Sequence, residues 1–166
     1  MTLREYKKED AISIVSWIKS ERELKLWSAD RYNTFPLTPL DINNFYEFCL
    51  TTDKIYPYTL VDDNKVVGHF ILRIPDKNTP STLRLGFVII NSSLRGRGYG
   101  KALMAEAIKC AHDTLNAKKL TLGVFINNTS AYNCYKKCGF NETKVFKNAF
   151  KFHDELWSFS EMELNL

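Results

Sequence analysis

The chain has 166 residues, 45% apolar and 25% charged, with 23 Lys and Arg against 19 Asp and Glu for a net charge of +4. Seven Gly and five Pro exclude a low-complexity or fibrous chain, while 11 Phe, 8 Tyr and 3 Trp supply the apolar area that a core needs. So modest a positive charge suits an anionic small ligand and argues against nucleic acid, whose binders concentrate far more basic charge.

The length fits a single domain, on a prior of about 150 residues per domain. Met1 to Asp10 is charged and lacks the apolar stretch of a signal peptide. No apolar run, Leu85 to Ile90 included, approaches the roughly 20 residues that cross a bilayer. A cytoplasmic protein without membrane contact is the expectation. Cys49, Cys110, Cys134 and Cys138 all fall in segments that read as helical. Cys134 and Cys138 share a helix face at i, i+4, but a zinc site needs two more ligands, and neither Cys49 nor Cys110 brings a suitable neighbour. Reduced thiols and no metal are expected.

Thr2 to Tyr6 reads as a first strand and Glu9 to Ser20 as a helix. In that helix Ile12, Val15 and Ile18 recur at three-residue steps, with Ala11, Ile14 and Trp17 widening the stripe. Glu21 to Ala29 forms a second short helix, and Asp30 to Leu37 a loop. Thr38-Pro39-Leu40-Asp41 marks a helix start, with a capping hydroxyl, a proline at the first position and a carboxylate beside free N–H groups. That helix runs to about Leu50. Ile55 to Val61 and Lys65 to Ile74 are strands joined by the turn residues Asp62-Asp63-Asn64, a hairpin expected in the middle of the sheet.

Thr82 to Ile90 is a further strand. After it comes a long helix from Gly98 to Leu115, with Met104, Ile108, Ala111 and Leu115 on one face. Lys119 to Ile126 alternates as a strand, Asn128 to Lys137 is a short helix stopped by Gly139, and Phe140 to Phe146 with Glu155 to Leu164 close the sheet as an antiparallel pair. The pattern is α/β: one domain with a mixed central sheet of six or seven strands and helices on both faces.

Leu94-Arg95-Gly96-Arg97-Gly98-Tyr99-Gly100-Lys101 joins the strand at Ile90 to the long helix. Free N–H groups and the positive dipole end of a helix, close backbone approach at glycine, and the charges of Arg95, Arg97 and Lys101 point to a pyrophosphate or polyphosphate ligand. The dinucleotide fingerprint fails because its third glycine falls on Leu103. The Walker pattern fails at Arg95 and Ala102.

Arg95-Gly96-Arg97-Gly98-Tyr99-Gly100 fits Q/R-x-x-G-x-G/A, and Asn128, Ala131, Tyr135, Gly139 and Phe140 fit N-x-x-A-x-x-x-Y-x-x-x-G-F. With both motifs in order, residues 82 to 146 resemble the GNAT superfamily of acetyl-CoA-dependent N-acetyltransferases. The resemblance implies a GNAT-like fold and direct transfer of acetyl from acetyl-CoA to a primary amine in a ternary complex. The amine could belong to a small molecule, a peptide N-terminus or an aminoglycoside. It also implies that the main chain of Arg95, Gly96, Arg97, Gly98, Tyr99 and Gly100 holds the pyrophosphate of coenzyme A. Val88, Ile89 and Ile90, at a splayed strand end, would pair with the pantetheine arm, and one of their amides would polarise the thioester carbonyl. Tyr135 would protonate the departing thiolate. Asn128 would touch the cofactor arm, cap its helix, or both. Many members of the family are dimers, so the resemblance implies a monomer or homodimer.

Many relatives carry Glu two residues before the glycine that is Gly86 here; this chain has Arg84, which cannot act as a base near neutral pH. Candidates for that role are His69, Glu23, Asp30, His153 and Glu155, with Arg84 free to meet a substrate carboxylate. His69 beside Val67 and Ile71 also reads as a structural histidine. Trp27, Tyr32, Phe35 and Trp157 fall where the family forms its acceptor groove, and equally suit core packing. The alternative to an enzyme is a non-catalytic acetyl-CoA-binding module.

Overall fold

The computed structural model describes residues 1–52 and 55–166. In chain order the elements are β1 (Thr2–Glu5), α1 (Asp10–Ser16), α2 (Glu21–Ser28), α3 (Pro39–Thr52), β2 (Ile55–Asp62), β3 (Lys65–Arg73), β4 (Thr82–Ile90), α4 (Tyr99–Lys109), β5 (Lys119–Phe125), α5 (Thr129–Lys137), β6 (Asn141–Phe152) and β7 (Glu155–Asn165). No helix among the described residues is long and apolar enough to cross a membrane.

The seven strands form one sheet in the order β1-β2-β3-β4-β5-β7-β6, antiparallel except for the β4–β5 pair. The β2–β3 hairpin turns at Asp63 and Asn64, both at positive φ, as a tight hairpin requires. It does not occupy the middle of the sheet as expected. β4 does, because β5 returns parallel to β4 through α4 and β7 then inserts between β5 and β6.

Two apolar layers cover the two faces. Leu103, Met104, Ala107 and Ala111 of α4 and its extension pack with Phe140 on Leu72, Leu85, Leu120 and Leu122. On the opposite face Ala11, Ile14, Leu24 and Ile42 of α1, α2 and α3 pack on Ile55, Ile71 and Ile89. Each fully buried Leu or Met contributes roughly 1.5–3 kcal/mol relative to exposure.

Several local starts hold as the residues dictate. Thr38 Oγ1 accepts from the Asp41 amide at 3.3 Å, and Asp41 Oδ2 accepts from the Thr38 amide at 2.8 Å, a reciprocal cap on α3. Ser20 Oγ accepts from the Glu23 amide and opens α2.

The same cap shortens α1. Ser20 is extended (φ −149°, ψ 160°), so the first helix stops at Ser16 and tightens through Trp17 N–H to Ile14 and Ile18 N–H to Val15. The buried stripe of α1 is Ala11, Ile14, Trp17 and Ile18, while Ile12 faces outward at 63% exposure. α4 ends earlier than expected, and Cys110–Thr114 form a wider turn closed by Leu115 N–H to Cys110 O. That turn leaves Ile108 and Leu115 only partly buried and centres the face on Leu103, Met104 and Ala107.

Asp10 is a buried polar anchor at the start of α1. Its carboxylate accepts from Arg4 Nη1 and Nη2 (2.7 and 2.8 Å), the Lys7 amide (2.9 Å) and Thr59 Oγ1 (2.9 Å).

Candidate active site

The centre of the molecule is a gap between two parallel strands. β4 and β5 pair only from Thr82–Lys119 to Arg84–Thr121; beyond that point β5 continues beside β7 to Phe125, while β4 stays with β3. A bulge turns β4 at the same place. Ile71 faces Gly86 and His69 faces Ile89, so Phe87 and Val88 stand opposite one residue, with Phe87 at φ +50°. From Leu85 to Ile90 the edge of β4 toward β5 therefore has no ladder partner there, and a cleft of about 690 Å³ opens along it. Val88, Ile89 and Ile90 line this cleft.

At one end of the cleft is the glycine turn. Asn91 Oδ1 accepts from the Ser93 amide at 3.0 Å and starts a short 3₁₀ turn, Ser92–Leu94. Gly96 (φ +77°) and Gly98 (φ +87°) then take left-handed conformations that L side chains rarely adopt. The first backbone bond of α4 is Ala102 N–H to Gly98 O, so the amides of Tyr99, Gly100 and Lys101 are free of intrahelical partners. These donors, the helix dipole and the nearby guanidinium groups fit a pyrophosphate. Arg95, Gly96 and Gly100 line the cleft; Arg97, Gly98 and Tyr99 are not in its lining. The Tyr99 hydroxyl donates to Asp62 at 2.7 Å and ties the start of α4 to the hairpin turn.

α5 carries Tyr135 to the cleft wall. Asn128 Oδ1 accepts from the Ala131 amide at 3.4 Å, capping α5, and Asn128 itself lines the cleft. At the other end Gly139 (φ +95°) lets Phe140 N–H reach Tyr135 O at 3.1 Å, a Schellman closure. The tyrosine is buried, and burial, with Cys134 and Cys138 beside it, pushes its phenol well above the usual value. The phenol keeps its proton throughout the neutral range. Cys134 also lines the cleft; burial, then Cys138, pushes its thiol up. Among the described residues no group of three or more His, Cys, Asp or Glu is placed to hold a metal ion.

The candidate bases separate sharply. His69 is fully buried, its Nε2 2.6 Å from the Tyr46 hydroxyl, and burial lowers its pKa to about 3. It is a neutral core histidine outside the cleft. An extra residue on β3 at the β2 bulge (Leu60 pairs with Gly68, Val61 with Val66) sends Val67 to the face opposite His69 and Ile71. Glu23 lines the cleft. Partial burial raises its carboxyl, but the Lys19 amide (2.7 Å) and Arg95 (3.1 Å) outweigh that and hold it below the ordinary range. Asp30 lines the cleft mouth.

His153 and Glu155 lie on the β6–β7 hairpin outside the cleft lining, against Glu21 and Arg22 of α2. The hydrogen bonds of Arg22 and then Trp157 bring Glu155 down to about 2. The aromatics divide likewise. Trp27 lines the cleft, Tyr32 stacks on it inside the α2–α3 packing, Trp157 is buried with Phe125 and Phe152, and Phe35 is exposed.

Arg84 has a partner that its sequence neighbourhood does not reveal. Glu161 of β7 accepts from Nη1 at 2.7 Å and from Nη2 at 2.8 Å, and both residues line the cleft. Phe150 and Phe159 of the closing hairpin also line it. The alternation of β7, with Ser160 and Met162 buried on either side of Glu161, is the one sequence signal that could have set Glu161 apart.

The chain belongs to the acetyltransferase (GNAT) family, whose sequence model matches residues 20–140. It is 32% identical over 96 residues to an N-alpha-acetyltransferase of Sulfurisphaera tokodaii, a match covering 53% of this chain and 58% of that protein. It is also 32% identical over 78 residues to the L-amino acid N-acetyltransferase AaaT of Escherichia coli, covering 47% and 48%. The matches thus span about half the length of these relatives.

Among solved structures, the spermidine N-acetyltransferase of Vibrio cholerae in complex with CoA and spermine superposes with a TM-score of 0.82 at 18% identity, over 99% of this chain and 94% of that one. The ribosomal-protein-alanine N-acetyltransferase of Brucella melitensis superposes at 0.80, also at 18% identity, over the whole of both chains. At that identity these two share the fold.

Proposed function

We propose that this chain transfers the acetyl group of acetyl-CoA directly to a primary amine. The observation that carries the reading is the unpaired edge of β4, which runs from the glycine turn past Tyr135 to Arg84 within one continuous cleft. An extended pantetheine arm can add to that edge as a strand would. The free amides at the start of α4 receive the pyrophosphate, Val88 to Ile90 offer main-chain groups to the arm, and Asn128 caps α5 and faces the arm. An amide on the splayed edge stabilises charge developing on the thioester oxygen.

Tyr135 acts on the leaving sulfur. Its raised pKa makes full proton transfer to a thiolate, with an ordinary value of about 8.5, uphill. The phenol therefore serves as a hydrogen-bond donor that holds the sulfur's negative charge until a proton from the acceptor nitrogen balances it. The amine's proton passes to water in the open cleft. On this reading the partners are acetyl-CoA and an amine.

The test is thiol release from acetyl-CoA across amino acids, peptides, polyamines and aminoglycosides, with Tyr135→Phe alongside. Acceptor-dependent release that falls by about 10²–10³ in kcat in the variant, with unchanged thermal stability, is the expected result. Stabilisation by acetyl-CoA without release to any acceptor would favour a binding module instead. Absence of stabilisation would remove the reading.

A further inference from the structure

Arg84, Gly123 and Glu161 stand on three neighbouring strands and on one face of the sheet. Their chain neighbours Leu85, Leu122 and Met162 pack toward α4 and α5. The three therefore point the other way, into the side of the cleft away from α4. The guanidinium and carboxylate meet in a two-point contact, and each side chain is 25% exposed. A Cβ at position 123 would lie 2.8 Å from Arg84 Nη2 and 3.3 Å from Glu161 Oε1. The pair thus lies flat on a glycine in mid-strand, where glycine otherwise weakens a sheet and marks close approach of another group.

This contact leaves both partners with capacity to spare. A guanidinium has five N–H donors, of which Glu161 engages one on each terminal nitrogen, and a carboxylate has about four acceptor positions. The apolar part of the cleft lining is Leu26, Trp27, Phe87, Phe125, Phe150 and Phe159, and Arg73, which pairs with Arg84 across β3 and β4, adds a further cation to it. Opposite charges set side by side, neutral as a pair and partly shielded from water, complement a ligand that itself carries opposite charges side by side.

We propose that Arg84 and Glu161 form the head-group site for the acceptor, and that the acceptor is a free α-amino acid with an apolar side chain. This rests on the acetyl-transfer reading and narrows it. The amino acid's carboxylate takes the spare donors of Arg84, its ammonium meets Glu161, and its side chain lies on the aromatic wall. One ammonium proton passes to water in the open cleft. The nitrogen lone pair forms the N–C bond as the C–S pair leaves on sulfur, and the second nitrogen proton balances that thiolate to a thiol. A polyamine has no carboxylate for Arg84, and a peptide N-terminus presents an amide in its place.

The experiment measures thiol release at saturating acetyl-CoA with L-phenylalanine and L-leucine, their amides, their decarboxylated amines, the dipeptide Phe-Ala, and spermidine. The free amino acids are expected to exceed their amides and amines in kcat/KM by about 10–100-fold, the range for hydrogen bonds to a charged group. Arg84→Gln should bring that ratio to within about threefold. The exchanged pair Arg84→Glu with Glu161→Arg keeps an ion pair and so guards against misfolding; it should retain the melting temperature yet lose the preference. Equal use of acid and amide by the unaltered protein overturns the proposal, as does one common loss for all acceptors in Arg84→Gln. Release with spermidine but not with amino acids overturns it while acetyl transfer stands. No release with any acceptor removes acetyl transfer and this proposal together.

Discussion

Alanine at position 123 separates what the Arg84–Glu161 contact does for the fold from what it does for the acceptor. Gly123 pairs with Glu161 across β5 and β7 and lies under the guanidinium. The new Cβ would stand 2.8 Å from Nη2, where ordinary van der Waals separations are roughly 3.5–4.0 Å. Arg84 must then withdraw by about 0.7 Å or more, and Glu161, whose Oε1 lies 3.3 Å from the same Cβ, must give as well, which disturbs the two bonds of 2.7 and 2.8 Å between them. An ion pair with both members a quarter exposed is worth about 0–1 kcal/mol to stability. Alanine in place of mid-strand glycine recovers roughly 0.5–1 kcal/mol. The two nearly cancel, and the melting temperature should move by less than about 4 °C.

The acceptor site should feel the change in full. KM for L-phenylalanine rises by about tenfold, the loss of a charge-assisted bond, while KM for its amide stays the same. Steady-state thiol release with both acceptors, beside thermal unfolding of the same preparation, makes the comparison. A fall in melting temperature beyond about 8 °C, or equal rises in KM for acid and amide, would show that the pair serves the sheet alone.

Two further outcomes test the framework around the site. Asp10→Ala leaves the Thr59 hydroxyl buried without its acceptor and Arg4 without its carboxylate partner. With Arg4 about one-third exposed, the loss should be about 2–4 kcal/mol, or about 5–15 °C in melting temperature. Burial raises the Asp10 carboxyl, but the bonds from Arg4, the Lys7 amide and Thr59 prevail and leave it below its ordinary 3.8. Its contribution is therefore complete above pH 3.8 and fades as pH falls through the lower folded-state value, so denaturant titrations of protein and variant should converge in acid.

In the glycine turn, Gly98→Ala forces a side chain to φ +87° and should cost about 1–2 kcal/mol. By contrast Gly100→Ala, in α4 with only an ordinary 3.7 Å contact to Cys134 Sγ, should gain up to about 1 kcal/mol. Urea unfolding of the two variants gives both signs, and equal losses would refute the assignment of strain to Gly98.

Much of this protein is written in short stretches of chain. The caps at Ser20, Thr38 and Asn128, the turn at Asp63 and Asn64, and the glycine segment each act within a few residues, where side-chain hydrogen bonds and allowed φ values decide the outcome. The spacing from Asn128 to Tyr135 to Gly139 belongs to the same class, since one helix and its closure carry all three. The sequence by itself therefore determined the α/β pattern, the glycine turn before α4 and the place of Tyr135 on α5.

Only the tertiary structure decided what stands across from them. Strand register is non-local: the parallel return of β5, the bulge at Phe87 and the insertion of β7 between β5 and β6 open the cleft, and no local pattern encodes them. The same register removes His69, His153, Glu155 and Trp157 from the site, and it brings Glu161 to Arg84 from 77 residues away over a glycine on the strand between. A charge finds its partner through the fold, because attraction between residues so far apart in sequence acts only once the sheet has set them side by side.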